Sequence, residues 1–282
     1  MWIWTTVLSA LFLGLYDVFK KQSLQKNDVL QVLLCTTGLS TLLLSPWLSA
    51  GPWQDHLKLF LKAILVSASW ISGLYGIKLL PLTTASTIKA TRPVFVLAFS
   101  MLLFGERLNG WQWAGSILAI VALYLLSLSS RKEGIRFSTS KGILFMAVSV
   151  LAGSASALYD KHIIASMEPL FVQSWCNFYI TLILALFVLA QWLRDREKFR
   201  AFRFDWVLLA IAVLIVIADF LYFYSLKQEG AMISIISMVR RSSVLVPFLF
   251  GIFRYKEKSI RGKVAALVTL LAAMALLVFG TA

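Results

Sequence analysis

Four basic residues lie deep inside two long apolar stretches of this sequence. Lys89 and Arg92 belong to the segment IKATRPVF, and Arg240 and Arg241 belong to MVRRSSVLV, about 150 residues later. A cation at bilayer depth is costly, is tolerated beside a partner or a wet cavity, and usually serves a function. Because a guanidinium group also binds phosphate or carboxylate oxygens in a bidentate fashion, the four residues predict an anion-attracting centre.

The spacing of these cations indicates how they could meet one ligand. Lys89 and Arg92 are three residues apart, so they share one face of a helix. Arg240 and Arg241 are adjacent and diverge by about 100° around a helix axis, so only one of them points straight at a central cavity. We interpret all four as candidate binding residues.

Asp17 and Asp160 occupy equivalent places in two similar segments, LYDVFKK and LYDKHII. In one interpretation each forms an ion pair that acts as a gate, Asp17 with Lys89 and Asp160 with Arg240 or Arg241. In a second interpretation they exchange protons during the working cycle of the protein, as buried carboxylates can do. A third interpretation assigns them to packing alone.

Asp219 and Tyr224 complete the candidate set. Asp219 is either a further partner for Arg240 and Arg241 or a group that recognises an amine. Tyr224 either lines the cavity or packs within the bundle. The alternative for the whole set is a neutral structural network, although three carboxylates against four cations leave one positive charge over.

These residues belong to a strongly apolar chain of 282 residues. Hydrophobic residues make up 60% of it and charged residues 14%, and the mean hydropathy is +0.82. Apolar runs recur about every 25 to 30 residues, and a helix needs about 20 residues to cross the hydrocarbon core. Because the runs are continuous rather than alternating, they predict an all-α, multi-pass membrane protein.

Breaks marked by charge, proline or glycine divide the chain into ten predicted transmembrane helices. Pro93 and Pro247 fall inside the fourth and the ninth, where a proline removes a backbone hydrogen bond and favours a kink. The helices cover approximately residues 2–22, 29–49, 57–79, 82–104, 110–129, 140–165, 169–192, 205–227, 231–253 and 260–280.

The two halves of the chain resemble each other. LYGIKLLP, closing the third helix, matches FYSLKQEG, closing the eighth, and Arg92 aligns with Arg241. Five helices per repeat is an odd number, so the second copy enters the membrane from the opposite side. We therefore predict two inverted five-helix repeats, residues 1–130 and 142–282, joined by a linker at 131–141. In secondary transporters of this design the substrate site lies near the midplane, between the repeats.

These motifs resemble a known family, the EamA-type ten-helix members of the drug/metabolite transporter superfamily. The resemblance rests on LYDVFKK in the first helix, on RPVFVLAFSMLLFGERLNGWQWAG across the fourth and fifth helices, and on a weaker second copy. It covers essentially the whole chain and implies a membrane transporter built from two EamA-like repeats.

A narrower resemblance points to the plastid sugar-phosphate translocators of the same superfamily. These proteins hold the substrate phosphate with a lysine on the fourth helix and a Lys-Arg pair on the ninth. Lys89, Arg240 and Arg241 look similar, so the resemblance implies a phosphate-binding role for them. The sequence departs from the translocators in the eighth helix, where their tyrosine has no clear match and Asp219 lies nearby instead, so the organic part of the substrate stays open.

Other classes of protein find little support. No GxxxxGK motif for ATP is present, so a gradient or an exchange must supply the driving force. His56 and His162 are isolated, without metal-ligand spacing or a neighbouring nucleophile, so we expect no enzyme activity, no metal and no cofactor. The net charge of +14 resides mostly in short loops, which favours contact with lipid headgroups over a nucleic-acid partner.

The basic residues also predict an orientation. Eighteen Lys and Arg residues fall at the loops after odd-numbered helices, and four at the loops after even-numbered helices. Short loops rich in Lys and Arg stay in the cytoplasm, so this distribution predicts that both termini face the periplasm.

Together these features predict a secondary transporter of the inner (plasma) membrane that moves a small organic anion, phosphorylated or carboxylated, by alternating access. Its expected partners are that small molecule and the lipid bilayer, with the oligomeric state left open. One alternative is an exporter of amino acids or other zwitterionic metabolites, in which Asp219 or Asp17 holds the amine. A second is a flippase for a lipid phosphate, whose tail stays in the bilayer.

Overall fold

The computed structural model describes residues 2–92, 94–96, 99, 109–164, 167–194, 196, 202–228, 239–255 and 260–280. It describes only the backbone of residues 160–162, 164, 169, 223, 226, 227 and 278. Helices, turns and loops account for all of these residues, with no β-strand among them.

Ten α-helices have their bounds within the described residues, and they match the ten predicted apolar runs. Two 3-10 helices, Ser45–Trp47 and Ser242–Val244, follow the second helix and precede the ninth. The all-α fold class is confirmed. The ten α-helices are α1 Trp2–Ser23, α2 Val29–Leu44, α3 Trp53–Leu79, α4 Leu82–Ala90, α5 Gly110–Arg131, α6 Lys141–Ile164, α7 Pro169–Arg194, α8 Trp206–Lys227, α9 Leu245–Phe253 and α10 Ile260–Phe279.

Seven of these helices are long and apolar enough to cross a membrane, namely α1, α2 with its 3-10 turn, α3, α5, α6, α7 and α10. α8 contributes a shorter apolar stretch, Trp206–Tyr222. α4 and α9 have nine residues each and form the described regular parts of the fourth and ninth predicted spans. The chain therefore crosses the membrane several times.

The fourth and ninth spans are interrupted near their prolines. α4 ends at Ala90, and the Thr91 amide bonds to the Ile88 carbonyl before helical residues resume at Arg92. In the ninth span, the 3-10 helix Ser242–Val244 precedes α9. A proline ring clashes with the carbonyl four residues earlier, which explains a break upstream of Pro247. Pro93 itself lies outside the described residues.

The helix contacts repeat in a pattern that relates the two halves. The counterpart of each helix in the first half is the helix five places later. The contact of α1 with α8 therefore corresponds to that of α6 with α3, and the contact of α2 with α8 corresponds to that of α7 with α3. α1 also contacts α9 as α4 contacts α6. The pairs α2–α7, α4–α9 and α5–α10 each join counterparts. Exchanging every helix for its counterpart thus reproduces this set of contacts, as expected for two packed five-helix repeats.

Gly14 on α1 lets that helix approach the break in the ninth span. A Cβ atom at Gly14 would lie 2.7 Å from the Ser243 carbonyl oxygen and 2.5 Å from the Val246 Cβ atom. Small residues allow such close backbone contact between membrane helices. The interruption is therefore packed directly against α1, the helix that carries Asp17.

At one face of the bundle, polar contacts join the loop after α1 to the segment before α8. Asn27 Nδ2 donates to the Arg203 carbonyl at 2.9 Å, and Asn27 Oδ1 accepts from the Arg203 amide at 2.8 Å. Lys26 also pairs with Asp205 at 3.0 Å, and Asp205 caps the start of α8. These contacts join the two repeats at this face.

Asp28, at the start of α2, belongs to the same face. Its carboxylate accepts from Lys78 Nζ at 3.1 Å and from Gln191 Nε2 at 3.4 Å. Burial opposes the charged form of Asp28, but the bonds from Lys78, the Val29 amide and Gln191 outweigh it and hold the pKa of the Asp28 carboxyl below its ordinary value.

Candidate functional site

In the first repeat, an ion pair joins α1 to α4. Lys89 Nζ donates to both carboxylate oxygens of Asp17, at 2.7 Å to Oδ1 and 2.5 Å to Oδ2. The Asp17 side chain is 8% exposed and that of Lys89 is 34% exposed. The two charges therefore compensate each other, and this is one of the pairs that the sequence suggested.

In the second repeat, an ion pair joins α8 to the residues before α9. Arg240 Nη2 donates to Asp219 Oδ1. The Arg240 guanidinium group also lies over the Tyr222 ring, with Cζ 4.1 Å from the ring centroid. Asp219 thus takes the first of its two suggested roles, as a partner for an arginine of the ninth span.

Arg92 follows the interruption at Thr91 and reaches α3 and α6. Its Nη2 atom donates to Ser69 Oγ at 3.3 Å, and a Cβ atom at Gly153 would overlap its guanidinium group. Glycine at position 153 is therefore what lets the guanidinium group lie against α6. Arg92 Nε is buried and has no hydrogen-bond partner among the described residues, which leaves a donor available to a ligand.

Arg241 is the counterpart of Arg92 in the second repeat and directly precedes the 3-10 helix of the ninth span. Arg92 and Arg240 both lie close enough for their charges to act on Arg241. Within the described part of the chain, neither Arg92 nor Arg241 has a carboxylate at ion-pair distance. Among the described residues the two arginines thus bring positive charge to the place where the repeats meet, and the Asp17 charge acts on Arg92 from beyond ion-pair distance.

The two ion pairs lie at different depths. Thr5 and Ser9, near the start of α1, bond to Ser225 and Ala218, near the end of α8, so these helices run antiparallel. Ser9 Oγ donates to the Ala218 carbonyl at 2.6 Å, which puts Asp219 level with Ser9. Asp17 is eight residues further along α1, which corresponds to about 12 Å.

Arg92 and Arg241 lie between these two levels. The end of α1 is level with the start of α4, since Lys21 Nζ donates to the Leu80 carbonyl at 2.7 Å. Arg92 follows Lys89 by one helical turn, away from that end and toward the level of Asp219. Arg241 adjoins Arg240, which is bonded to Asp219. The uncompensated charge therefore has an ion pair on either side of it in depth.

Lys20 is a charged residue of this region that the sequence analysis missed. It is 4% exposed within α1, with Nζ 3.9 Å from the centroid of the Tyr16 ring and 5.3 Å from that of Trp70. Such positions over aromatic faces stabilise a desolvated cation. Its place near the end of a span suggested a loop residue, whereas its spacing of three residues from Asp17 indicates a shared face.

The described residues do not show the candidates Tyr224 and Asp160 as part of the charged cluster. Tyr224 is 50% exposed and stacks on Phe220, with ring centroids 6.3 Å apart. It therefore lies on a different face of α8 from Tyr222, which contacts Arg240. Asp160 falls within α6, but its side chain lies outside the described residues, so its suggested pairing stays a prediction.

The fold and this site define a class: a multi-pass α-helical membrane protein with two five-helix repeats and a charged centre between them. The model of the EamA-like transporter family matches residues 1–128 and 140–279, and the chain belongs to that family. This confirms the resemblance to EamA-type transporters that the sequence motifs gave.

A solved crystal structure has the same fold. It is 17% identical in sequence, aligns with 98% of this chain and 96% of its own, and gives a TM-score of 0.63. No curated protein matches the chain. At this identity the likeness concerns the fold alone.

Proposed function

We propose that this protein is a secondary-active transporter of the inner (plasma) membrane that moves a small organic anion by alternating access. The anion carries a phosphate or carboxylate group, which binds between Arg92 and Arg241. The observation that carries the proposal is that these two counterpart arginines lie within electrostatic range of each other and that neither has a carboxylate partner in the described structure. An anion would supply the missing negative charge.

Phosphate and carboxylate are the favoured groups because a guanidinium group offers paired N–H donors that match their oxygens. The buried, unpartnered Nε of Arg92 provides one such donor. The sequence resemblance to sugar-phosphate translocators at Lys89, Arg240 and Arg241 also supports a phosphate.

A zwitterionic substrate is less well supported. An amino-acid exporter needs a carboxylate for the amine, and Asp17 and Asp219 are the candidates. Both are already bonded, to Lys89 and Arg240 respectively. An amine would have to displace one of these cations, whereas an anion can bind the arginines directly.

The two ion pairs are the gates in this proposal. Asp17–Lys89 and Asp219–Arg240 lie on opposite sides of the arginines in depth, about 12 Å apart along α1. Opening one pair while the other stays closed would expose the anion to one side of the membrane at a time. The interrupted fourth and ninth spans supply the bending points, as discontinuous helices do in secondary transporters.

Counterflow in proteoliposomes tests this function. Vesicles loaded with inorganic phosphate would be assayed for uptake of labelled phosphate, and then of phosphorylated and carboxylated metabolites. We expect Arg92→Gln and Arg241→Gln to reduce exchange roughly 10- to 100-fold, because a hydrogen bond to a charged group contributes about 1.5–3 kcal/mol.

Arg131→Gln, which removes an exposed cation at the end of α5, is the matched control and should exchange normally. Normal exchange by both site variants would refute the anion site. Amino-acid flux, or scrambling of a labelled lipid without exchange of any small anion, would instead support one of the alternatives.

A further inference from the structure

A second basic site lies away from the centre, at the corner where α5 ends and α10 begins. A groove there, which we call the corner groove, has a volume of about 400 Å³. Leu125, Leu128, Ile260 and Ala265 form its apolar walls, and Lys132 and Arg261 are its charged residues. Both cations are exposed, so their charges are accessible at the mouth of the groove.

The neighbouring carboxylate does not neutralise these two cations. Glu133, directly after Lys132, forms an ion pair with Lys263 at 2.8 Å. Lys263 is fully buried and Glu133 is 9% exposed, so this pair faces inward. Among the described residues, Lys132 and Arg261 have no ion-pair partner. The corner groove therefore presents two positive charges.

The apolar walls continue onto the outer surface of the bundle. Exposed hydrophobic residues follow α5 and α10 away from the groove, and in a membrane-spanning protein lipid chains cover such a surface. Lys132 and Arg261 lie at the ends of these helices, where lipid headgroups are found. The exposed residues are Ile117, Ile120, Val121, Tyr124 and Leu128 on α5, and Val264 and Val268 on α10.

The opposite end of the same helix pair is closed. Asn109 Nδ2 donates to the Gly280 carbonyl at 2.6 Å, and a Cβ atom at Gly280 would lie 2.6 Å from the Gln112 Cγ atom. Direct contact between the helices thus fills that end.

We propose that the corner groove binds an anionic phospholipid of the surrounding membrane. The lipid phosphate lies between Lys132 and Arg261, and one acyl chain follows Leu128 and Ala265 onto the outer surface. Basic pockets between helix ends on the cytoplasmic side are suited to anionic headgroups. The charge distribution of the loops predicts this side of the protein to be cytoplasmic. The site is independent of the central arginines.

Native mass spectrometry of the full-length, delipidated protein tests the proposal. Phosphatidylglycerol and phosphatidylcholine with identical acyl chains would be titrated into the detergent solution. We expect tighter binding of phosphatidylglycerol, and a loss of about 25-fold in the double variant Lys132→Gln/Arg261→Gln, since each cation near anionic lipid contributes about fivefold. Phosphatidylcholine binding should change little.

Arg131→Gln/Arg136→Gln is the matched control, because it removes two exposed cations of the same corner that do not line the groove. It should bind phosphatidylglycerol as the native protein does. An equal loss in this control would overturn the proposal in favour of unspecific charge attraction.

Ala265→Trp fills the groove without changing its charge and should also weaken phosphatidylglycerol binding. Unchanged binding in this variant would overturn the assignment to the groove. Displacement of the lipid by an equal concentration of soluble glycerol phosphate would also overturn it, since the site would then recognise a free phosphate ester. Phosphate counterflow by Lys132→Gln/Arg261→Gln reports separately on the central site.

Discussion

In each half of the central site a cation is paired with a carboxylate, but the two carboxylates come from helices that are not counterparts. In the first repeat Lys89 is bonded to a carboxylate of α1, and in the second Arg240 is bonded to a carboxylate of α8. The counterpart of α1 is α6, and that of α8 is α3, so the two carboxylates are not equivalent. Arg92 and Arg241, in contrast, are equivalent. The repeats therefore share their packing and their arginines but differ in the ion pairs that the structure describes, Asp17–Lys89 and Asp219–Arg240.

The carboxylates of the two ion pairs also differ in how deeply they are buried. The Asp17 side chain is 8% exposed and has a second lysine nearby on its own helix, whereas Asp219 is 28% exposed. Lys89 is itself 34% exposed and is partly screened by solvent, so the difference rests on the carboxylates and on Lys20, which is buried and would lose the compensating charge of Asp17. We therefore expect the first-repeat pair to matter more for stability.

Asp17→Asn should have the largest effect. It leaves Lys89 and the buried Lys20 without this carboxylate, and we expect a loss of about 3 kcal/mol in the free energy of unfolding, because a buried charge left uncompensated is strongly destabilising. Unfolding in mixed micelles, followed by circular dichroism, measures it. The double variant Asp17→Asn/Lys89→Gln should recover part of the loss. Additive losses from the two substitutions would contradict the pairing.

Asp219→Asn should cost less, about 1–2 kcal/mol, because both members of its pair are partly exposed and Arg240 keeps its contact with Tyr222. The same unfolding measurement applies. Arg240→Gln is the second single variant of the double-mutant cycle for this pair. A loss as large as that of Asp17→Asn would remove the proposed difference between the halves.

Gly153→Ala tests the position of Arg92 without touching its charge. The added methyl group overlaps the guanidinium group and displaces it from α6. We expect the KM of counterflow to rise about tenfold, equivalent to about 1.4 kcal/mol of binding. Gly110→Ala is the control, since no atom lies within 4 Å of a Cβ at that position. An unchanged KM in Gly153→Ala would count against Arg92 as a binding residue.

Asp28→Asn should have the smallest effect, and one that depends on pH. A carboxyl whose folded-state pKa is lowered adds stability above its ordinary value of 3.8 and loses it as the pH falls through the folded-state value. We expect a cost of about 0.5–1 kcal/mol at pH 7, given the partial exposure of the pair with Lys78.

Thermal unfolding of the native protein and of Asp28→Asn, at pH 7 and near pH 3, measures this pH dependence. The difference between them should shrink as the pH falls below 3.8, because the carboxyl of the unfolded chain takes up a proton before the folded-state carboxyl does. A difference that stays constant over this range would show that the charge of Asp28 does not stabilise the fold.

Much of the fold follows from the sequence because bilayer depth fixes helix length and continuous apolarity marks each span. The aligned segments around Asp17 and Asp160, and the alignment of Arg92 with Arg241, also indicated the repeats. The kinks were expected from Pro93 and Pro247, although the interruption in the ninth span begins upstream, at Ser242. Local patterns are sufficient for these features.

The pairing of the charges could not be predicted from the sequence alone. Asp219 was one of several possible partners for Arg240, and the choice depends on how α8 is rotated against the ninth span. The same rotation puts Tyr222, rather than Tyr224, beside Arg240. Lys20, near the end of the predicted first helix, was counted with the basic residues of the following loop because charge at a helix end normally reaches water, whereas here two aromatic rings cover it.

Arg92 and Arg241 have no carboxylate partner among the described residues, and under the proposed function this has a consequence for the response of transport to voltage. An empty carrier that keeps both charges does electrical work when its centre changes sides, at about 2.3 kcal/mol per charge for each 100 mV. A bound dianion cancels those charges, so the loaded carrier crosses the field as a neutral unit. An imposed membrane potential should therefore alter net anion efflux from proteoliposomes while leaving one-for-one exchange almost unchanged, and equal sensitivity of both rates would contradict this charge balance.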